Sequence, residues 1–203
     1  MQKLIVFILF ILLVPEVALG TMQQVQPKAK SPSDFKFSGY VDGSYNYLQD
    51  SNKFTSGTYD RVFDLNPNGV TLQQAGITLA YQPQQGFGGL MTPVVGSDPN
   101  IFAPYGWNLR SFAMPQAYAQ YASGPLTFMG GSFIELAGAE NLFSYNDTNF
   151  SRSILWGYAE PFTVTGLRVS YIPNDKLTLI GGINNGWDSL RDLKDPHEIT
   201  KHG

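Results

Sequence analysis

The chain has 203 residues, enough for one ordinary domain with a sizeable core. Charged residues make up 14% and aromatic ones another 14%, and the net charge is -3, so the composition excludes disorder and supplies no basic patch for nucleic acid. With no cysteine there is no disulfide framework, no cysteine-ligated zinc and no thiol nucleophile.

The N-terminus reads as a secretory signal peptide over residues 1–20. Lys3 supplies the positive charge, residues 4–14 form an unbroken apolar run, and Ala18-Leu19-Gly20 is a small-x-small cleavage site. The run is too short for the ~20 residues that a spanning helix needs. Residues 21–34 are polar, hold two prolines and read as a flexible lead-in.

From residue 35 the dominant pattern is alternation. In FKFSGYVDGSYNY (residues 35–47), Phe35, Phe37, Val41, Tyr45 and Tyr47 share one face, with Gly39 and Gly43 between them. Lys36, Ser38, Tyr40, Asp42, Ser44 and Asn46 share the other. Phe37 and Tyr45 would stand roughly 20 Å apart along the normal of a membrane, for ~3.3 Å per residue and a tilt of about 40°. Aromatics at both ends of an apolar face are what a barrel strand offers to the two lipid interfaces. Similar alternation marks strands over residues 70–81, 114–122, 126–133, 163–172 and 176–184. A further one, over 87–96, is weakened by Pro93. The predicted fold is all-β, an antiparallel up-and-down transmembrane β-barrel of which about seven strands are present.

Connections come in two sizes. Residues 82–86, 123–125 and 173–175 are short and hold turn formers, whereas 49–69, 97–113 and 134–162 are long. Outer-membrane barrels alternate short periplasmic turns with long external loops in this way. With the N-terminus periplasmic, every short turn falls on one side only if residues 134–162 form a single excursion and Ile154 to Tyr158 is not a strand.

Several blocks together resemble one family. FSGYVDGSYNY, FAMPQAYAQY, GGSFIELAGAEN, NFSRSILWGYAEPFTVTGLRVSY and PNDKLTLIGGINNGWD are similar to the OmpL-like β-barrel porin-2 group of Gram-negative bacteria. The resemblance covers about residues 35–190. It implies an outer-membrane barrel, reached through the periplasm and the outer-membrane assembly machinery, that passes small hydrophilic solutes or ions passively. It implies no cofactor and no catalytic residue. Members of the family are longer, and residues 191–203 form an atypical tail without strand pattern or terminal aromatic. The chain therefore reads as the N-terminal half of a porin, truncated before closure. The alternatives are a small closed barrel with a structural or adhesive role, or a soluble exported β-sandwich that binds carbohydrate. Wide porins commonly trimerise, and a homo-oligomer is compatible with this chain.

In general porins the loop after the fifth strand narrows the lumen. Glu135, Glu140, Asn141, Arg152 and Glu160, in the segment 134–162, are accordingly the constriction candidates. Lys36, Asp42, Arg168 and Asn184 lie on polar strand faces and are the lumen candidates. Phe35, Phe37, Tyr45, Tyr47, Tyr81, Tyr121 and Tyr171 are candidates for the lipid face and its girdles. Enzyme readings fail: the two histidines, His197 and His202, lie in the tail, and nothing pairs Glu135 with Glu140 as acid and base. No metal is expected, since the Asn/Asp cluster at 146–149 lacks the spacing of a calcium loop.

Overall fold

The computed structural model describes residues 8–13 (backbone only), 35–47, 61–63, 68–136, 140–147, 152–174 and 176–190. The lead-in, the tail with its two histidines, and all of the expected leader except residues 8–13 lie outside the described residues.

Strand β1 is Ile8–Leu13. Strands β2 to β8 are Lys36–Asn46, Gly69–Tyr81, Gln85–Val95, Phe112–Ser123, Leu126–Ile134, Thr163–Asn174 and Leu177–Trp187. Each of β2 to β8 is hydrogen-bonded to its neighbour in sequence, so these seven strands form one antiparallel up-and-down meander. They fall where the alternation predicts. Helix α1 is Pro99–Phe102 and helix α2 is Ile154–Ala159, with a 3₁₀ turn at Ser144–Asn146. The Ile154 to Tyr158 stretch is therefore helical, and 135–162 is one excursion between β6 and β7. No helix among the described residues is long and apolar enough to cross a membrane.

Pro93 does not end β4. The register between β4 and β5 shifts between Thr92 and Val94, so Pro93 sits at a bulge opposite Met114 and Pro115. Both prolines thus occupy the one place in this pair where no ladder bond is required. A second bulge lies in β3. Asp42 pairs with Gln74 and Gly43 with Leu72, leaving Gln73 as the extra residue. Gln73 and Gln74 are consecutive, yet both are buried, because the bulge interrupts the alternation of faces.

Beyond β8, strand β1 pairs antiparallel from Ile8 opposite Gly182 to Leu13 opposite Leu177. This segment belongs to the expected leader. An exposed edge presents a row of unpaired N–H and C=O groups, and an extended apolar segment satisfies them.

The two faces of the meander differ sharply. Outward stand Phe37, Val41 and Tyr45 on β2, Val70, Leu72 and Ile77 on β3, Leu167 and Val169 on β7, and Ile183 on β8, all exposed. Val41 is 77% and Val70 86% exposed. Phe87 and Tyr121 pack with ring centroids 4.9 Å apart on this face, and Tyr121 pairs with Phe128. An apolar surface of this extent is foreign to a soluble monomer and suits lipid. Across the inner face lie the loop elements and most of the buried side chains.

Close approach of neighbouring strands requires glycine in the sheet, as at Gly131. Gly131 has φ of 144°, and a Cβ there would run into the Ala117 carbonyl of the neighbouring strand.

Candidate functional site

The inner face divides into two halves along the strands. Near the long loops it is filled. Near the short turns it holds a hollow.

The filled half begins at the β3 bulge. The Ser97 amide donates to the Leu72 carbonyl (3.0 Å) and the Asp98 amide to the Gln73 carbonyl (3.2 Å), which fastens the start of the 97–111 connection to β3. Pro99 then opens α1, and a proline suits a first turn that has no use for its missing N–H. Asp98 stands in the N-cap position, but its side chain makes no cap. Its Oδ2 instead accepts from Gln74 Nε2 (2.8 Å) and from Arg152 Nη1 (2.9 Å). Gln74 extends the network in two directions. Its Oε1 accepts from the Tyr40 hydroxyl (2.8 Å), and its Nε2 also donates to the Leu142 carbonyl (3.0 Å).

The long excursion therefore crosses the inner face. It leaves β6 at Ile134, reaches β2 and β3 with Leu142, Phe143 and Tyr145, and returns to β7 at Thr163. Tyr40 of β2 packs against Phe143 (5.8 Å between centroids) and Tyr145 (4.5 Å). Leu142, Phe143, Trp156 and Phe162 join Phe63, Val94, Phe102, Ala113 and Ile134 in one buried apolar cluster. Burial of such side chains stabilises by about 1.5–3 kcal/mol each. Tyr145 itself keeps an exposed edge, and burial of the rest pushes its hydroxyl above the ordinary tyrosine value.

Arg152 is the centre of this packing. Its side chain is fully enclosed. The guanidinium carbon lies 4.2 Å from the Phe63 ring centroid and 5.7 Å from that of Trp156. Nε donates to the Asn141 carbonyl (3.3 Å) and Nη2 to the Leu142 carbonyl. Asp147 Oδ2 stands 3.6 Å from Nε. Arginine suits this place, since its planar fork can serve several acceptors and two aromatic faces together. The backbone there has φ of 53°, a left-handed conformation that a side chain rarely adopts and that the surrounding bonds hold.

The other constriction candidates have distinct places. Asn141 caps its own turn, its Oδ1 accepting from the Phe143 amide (2.9 Å), while its amide donates to Asp147 Oδ1 (2.9 Å). Glu140 Oε1 accepts from the Ser153 amide (2.8 Å), and its Oε2 accepts from the Ser153 hydroxyl. Ser153 Oγ in turn accepts from the Trp156 amide (3.2 Å) and so caps α2. Glu135, just past β6, has Oε1 accepting from the Leu136 amide (2.7 Å). Glu160 follows α2. Burial, then Glu135 and then Glu140, push its carboxyl above the usual range, so these three glutamates share one electrostatic neighbourhood.

Burial raises the carboxyls of Asp98, Asp147 and Asp188 above their ordinary value. Burial pushes Asp147 up to about 6, against the hydrogen bond from Asn141 and the charge of Arg152. Burial also pushes Asp98 up, opposed by the charge and hydrogen bonds of Arg152 and the hydrogen bond of Gln74. Asp188 closes the return of the loop: its Oδ1 accepts from the Phe162 (2.8 Å) and Thr163 (2.7 Å) amides. Among the described residues no group of three His, Cys, Asp or Glu is placed to hold a metal ion.

The lumen candidates are spread along the meander. Asp42 lies on the inner side of β2, opposite Gln74, and Lys36 is exposed at the start of the same strand. Arg168 lies on the inner side of β7, its guanidinium 4.5 Å over the Phe133 ring. Asn184 is exposed on β8, and its Oδ1 accepts from the Gly186 amide (2.9 Å). Phe35, Phe37, Tyr45, Tyr47, Tyr81, Tyr121 and Tyr171 are all exposed.

Sequence reasoning missed Asp98, Gln73 and the aromatic partners Phe63 and Phe102. The Gln73-Gln74 doublet inside an alternating run was a signal of a bulge. The Asp98-Pro99 pair was a helix-start signal, but nothing local could show that the carboxylate turns away from its own helix.

An antiparallel meander with an apolar outer face, a polar inner face and a long loop folded across that inner face is part of the wall of a porin-like β-barrel. Residues 34–200 match the family model described as "Putative beta-barrel porin-2, OmpL-like", and the chain belongs to that family. A porin-like role and an outer-membrane setting follow from the family. No curated protein and no solved structure matches the chain.

Proposed function

We propose that the protein lines a water-filled pore for the passive diffusion of small hydrophilic solutes or ions, and that the 135–162 loop narrows that pore. The observation that carries this reading is the crossing of the inner face by the loop, with Gln74 bonded to the Leu142 carbonyl and Arg152 bonded to Asp98. In this reading Arg152 and Asn141 hold the loop in place. Glu135, Glu140 and Glu160 supply the charges at the narrow point and favour cations there. Lys36, Asp42, Arg168 and Asn184 meet water in the lumen, and the outward aromatics meet lipid. No catalytic step is assigned to any residue.

Residues 1–20 act in this scheme as an export signal removed after Gly20. Removal takes β1 away and frees the outer edge of β8. A bare edge in lipid costs several kcal/mol per unsatisfied backbone group, so that edge needs a further strand, from this protein or another copy.

The full chain, refolded in detergent and added to a planar bilayer, is expected to give discrete ohmic conductance steps. Glu140→Gln and Glu160→Gln together are expected to lower cation selectivity, read from the reversal potential in a salt gradient. Heat-modifiable gel migration without any conductance would instead favour a structural or adhesive barrel.

A further inference from the structure

We propose that the hollow at the short-turn end of the inner face binds a small organic anion with an apolar body, such as an aromatic carboxylate, and that Arg168 sets its charge preference. The proposal rests on the pore reading above, since it assigns a solute class to the lumen.

The hollow has a volume of about 470 Å³. That is within the span of sites for small molecules, ~300–1,000 Å³. Among the described residues lining it, Arg168 is the one with an ionised side chain. The opposite end of the inner face is acidic, with Glu140, Asp98 and Asp147 around the enclosed Arg152. A solute that has passed the loop thus meets a change of sign.

The guanidinium is held in position. It lies 4.5 Å over the Phe133 ring. Phe133 packs against Tyr118 at 5.1 Å and 35°. The Tyr118 hydroxyl accepts from Gln82 Nε2 at 2.9 Å. β7, β6, β5 and the first short turn each contribute one member to this stack. Stacking fixes the plane of the fork and leaves its N–H groups for a carboxylate, and less side-chain entropy is lost on binding than for a free arginine.

The rest of the lining decides between ligand classes. Met129, Ile172 and Ile180 present apolar surface beside the guanidinium. A hydrated inorganic ion has no use for that surface, whereas the body of an organic acid does. A neutral sugar would depend on the amides, but the Gln82 amide is engaged by Tyr118, and Gln116 Oε1 faces the Thr92 hydroxyl at 3.5 Å. Glu135 lines an adjoining groove with Arg168, and its carboxylate competes with an incoming anion for the guanidinium.

The test is an equilibrium titration of the full chain, refolded in detergent micelles at low salt, with benzoate, with its uncharged amide benzamide, and with glucose. Benzoate is expected to bind on the order of tenfold tighter than benzamide. Arg168→Gln is expected to remove that preference, Arg168→Lys to keep part of it, and Glu135→Gln to increase it. Equal binding of benzoate and benzamide, tighter binding of glucose, or no binding of any probe overturns the proposal, as does a preference that survives Arg168→Gln. Should a variant lose the heat-modifiable migration of the folded protein, the three-ligand comparison on the unaltered chain still decides. Conductance steps without benzoate preference would refute this inference alone. Absence of conductance would refute the pore reading instead.

Discussion

At the long-loop end of the inner face, Arg152, Asp98 and Gln74 are buried and bonded to one another beneath Phe63 and Trp156. At the short-turn end Arg168 also rests on an aromatic ring, but it is half-buried and overlooks a hollow. The two arginines share a residue type and a cation–π contact and differ in what surrounds them. One is enclosed by acceptors from four residues in two loops, Asp98 in the first and Asn141, Leu142 and Asp147 in the second, and acts as an anchor. The other borders open space with Glu135 beside it, and in the proposed reading its donors meet a solute. Position within the barrel wall, not residue type, separates a structural charge from one that a solute can meet.

The sharpest way to break this comparison is to remove the anchor. Arg152→Met leaves Asp98 buried without its cation, and loss of one partner of such a pair costs ~3–5 kcal/mol. The loop is expected to leave the inner face, so amides within 140–160 exchange faster with solvent and single-channel conductance rises. The double change Arg152→Met with Asp98→Leu is expected to recover part of the loss, because it removes the orphaned charge. Next in size is Leu142→Ala. Leu142 is wholly buried, and its truncation is expected to cost about 2–5 kcal/mol in chemical denaturation of the refolded protein.

A smaller effect comes from pH. The Asp147 carboxyl is raised from its ordinary 3.8 to about 6 in the folded protein. Its protonated form is therefore favoured by folding. The stability it contributes is present below about 3.8 and is lost as pH rises through about 6. Exchange protection of the loop is expected to be greater at pH 5 than at pH 7.5, and Asp147→Asn is expected to flatten that dependence. Smallest is Gln82→Ala at the short-turn end. It removes one hydrogen bond to Tyr118 at a turn and is expected to change stability by no more than ~1 kcal/mol. A larger loss there would mean that the hollow is structural and would erase the contrast between the two ends.

The strands were legible in the sequence because their information is local. A period of two over about ten residues, with aromatics outward, places all of β2 to β8. The single excursion at 134–162 was legible from the alternation of short and long connections. What could not be read is where that excursion goes. The bond from Gln74 to Leu142 joins residues 68 apart, and the one from Arg152 to Asp98 joins residues 54 apart. No pattern within a window can report a contact at that separation. Pro93 illustrates a milder limit: its missing N–H argued against a strand, and a bulge absorbed it. The pairing of Ile8–Leu13 with β8 was likewise out of reach, since an apolar run behind a lysine has the same appearance in a leader and in an edge strand.

The loop's place on the inner face is tested most directly by cross-linking. The chain has no cysteine, so an introduced pair is unique. The rings of Tyr40 on β2 and Tyr145 in the loop lie 4.5 Å apart. In outer membranes carrying the Tyr40→Cys, Tyr145→Cys double variant, dibromobimane is expected to join the two thiols in the folded, heat-modifiable form. If both thiols react singly with a maleimide in that form but are never joined, the loop does not cross the inner face.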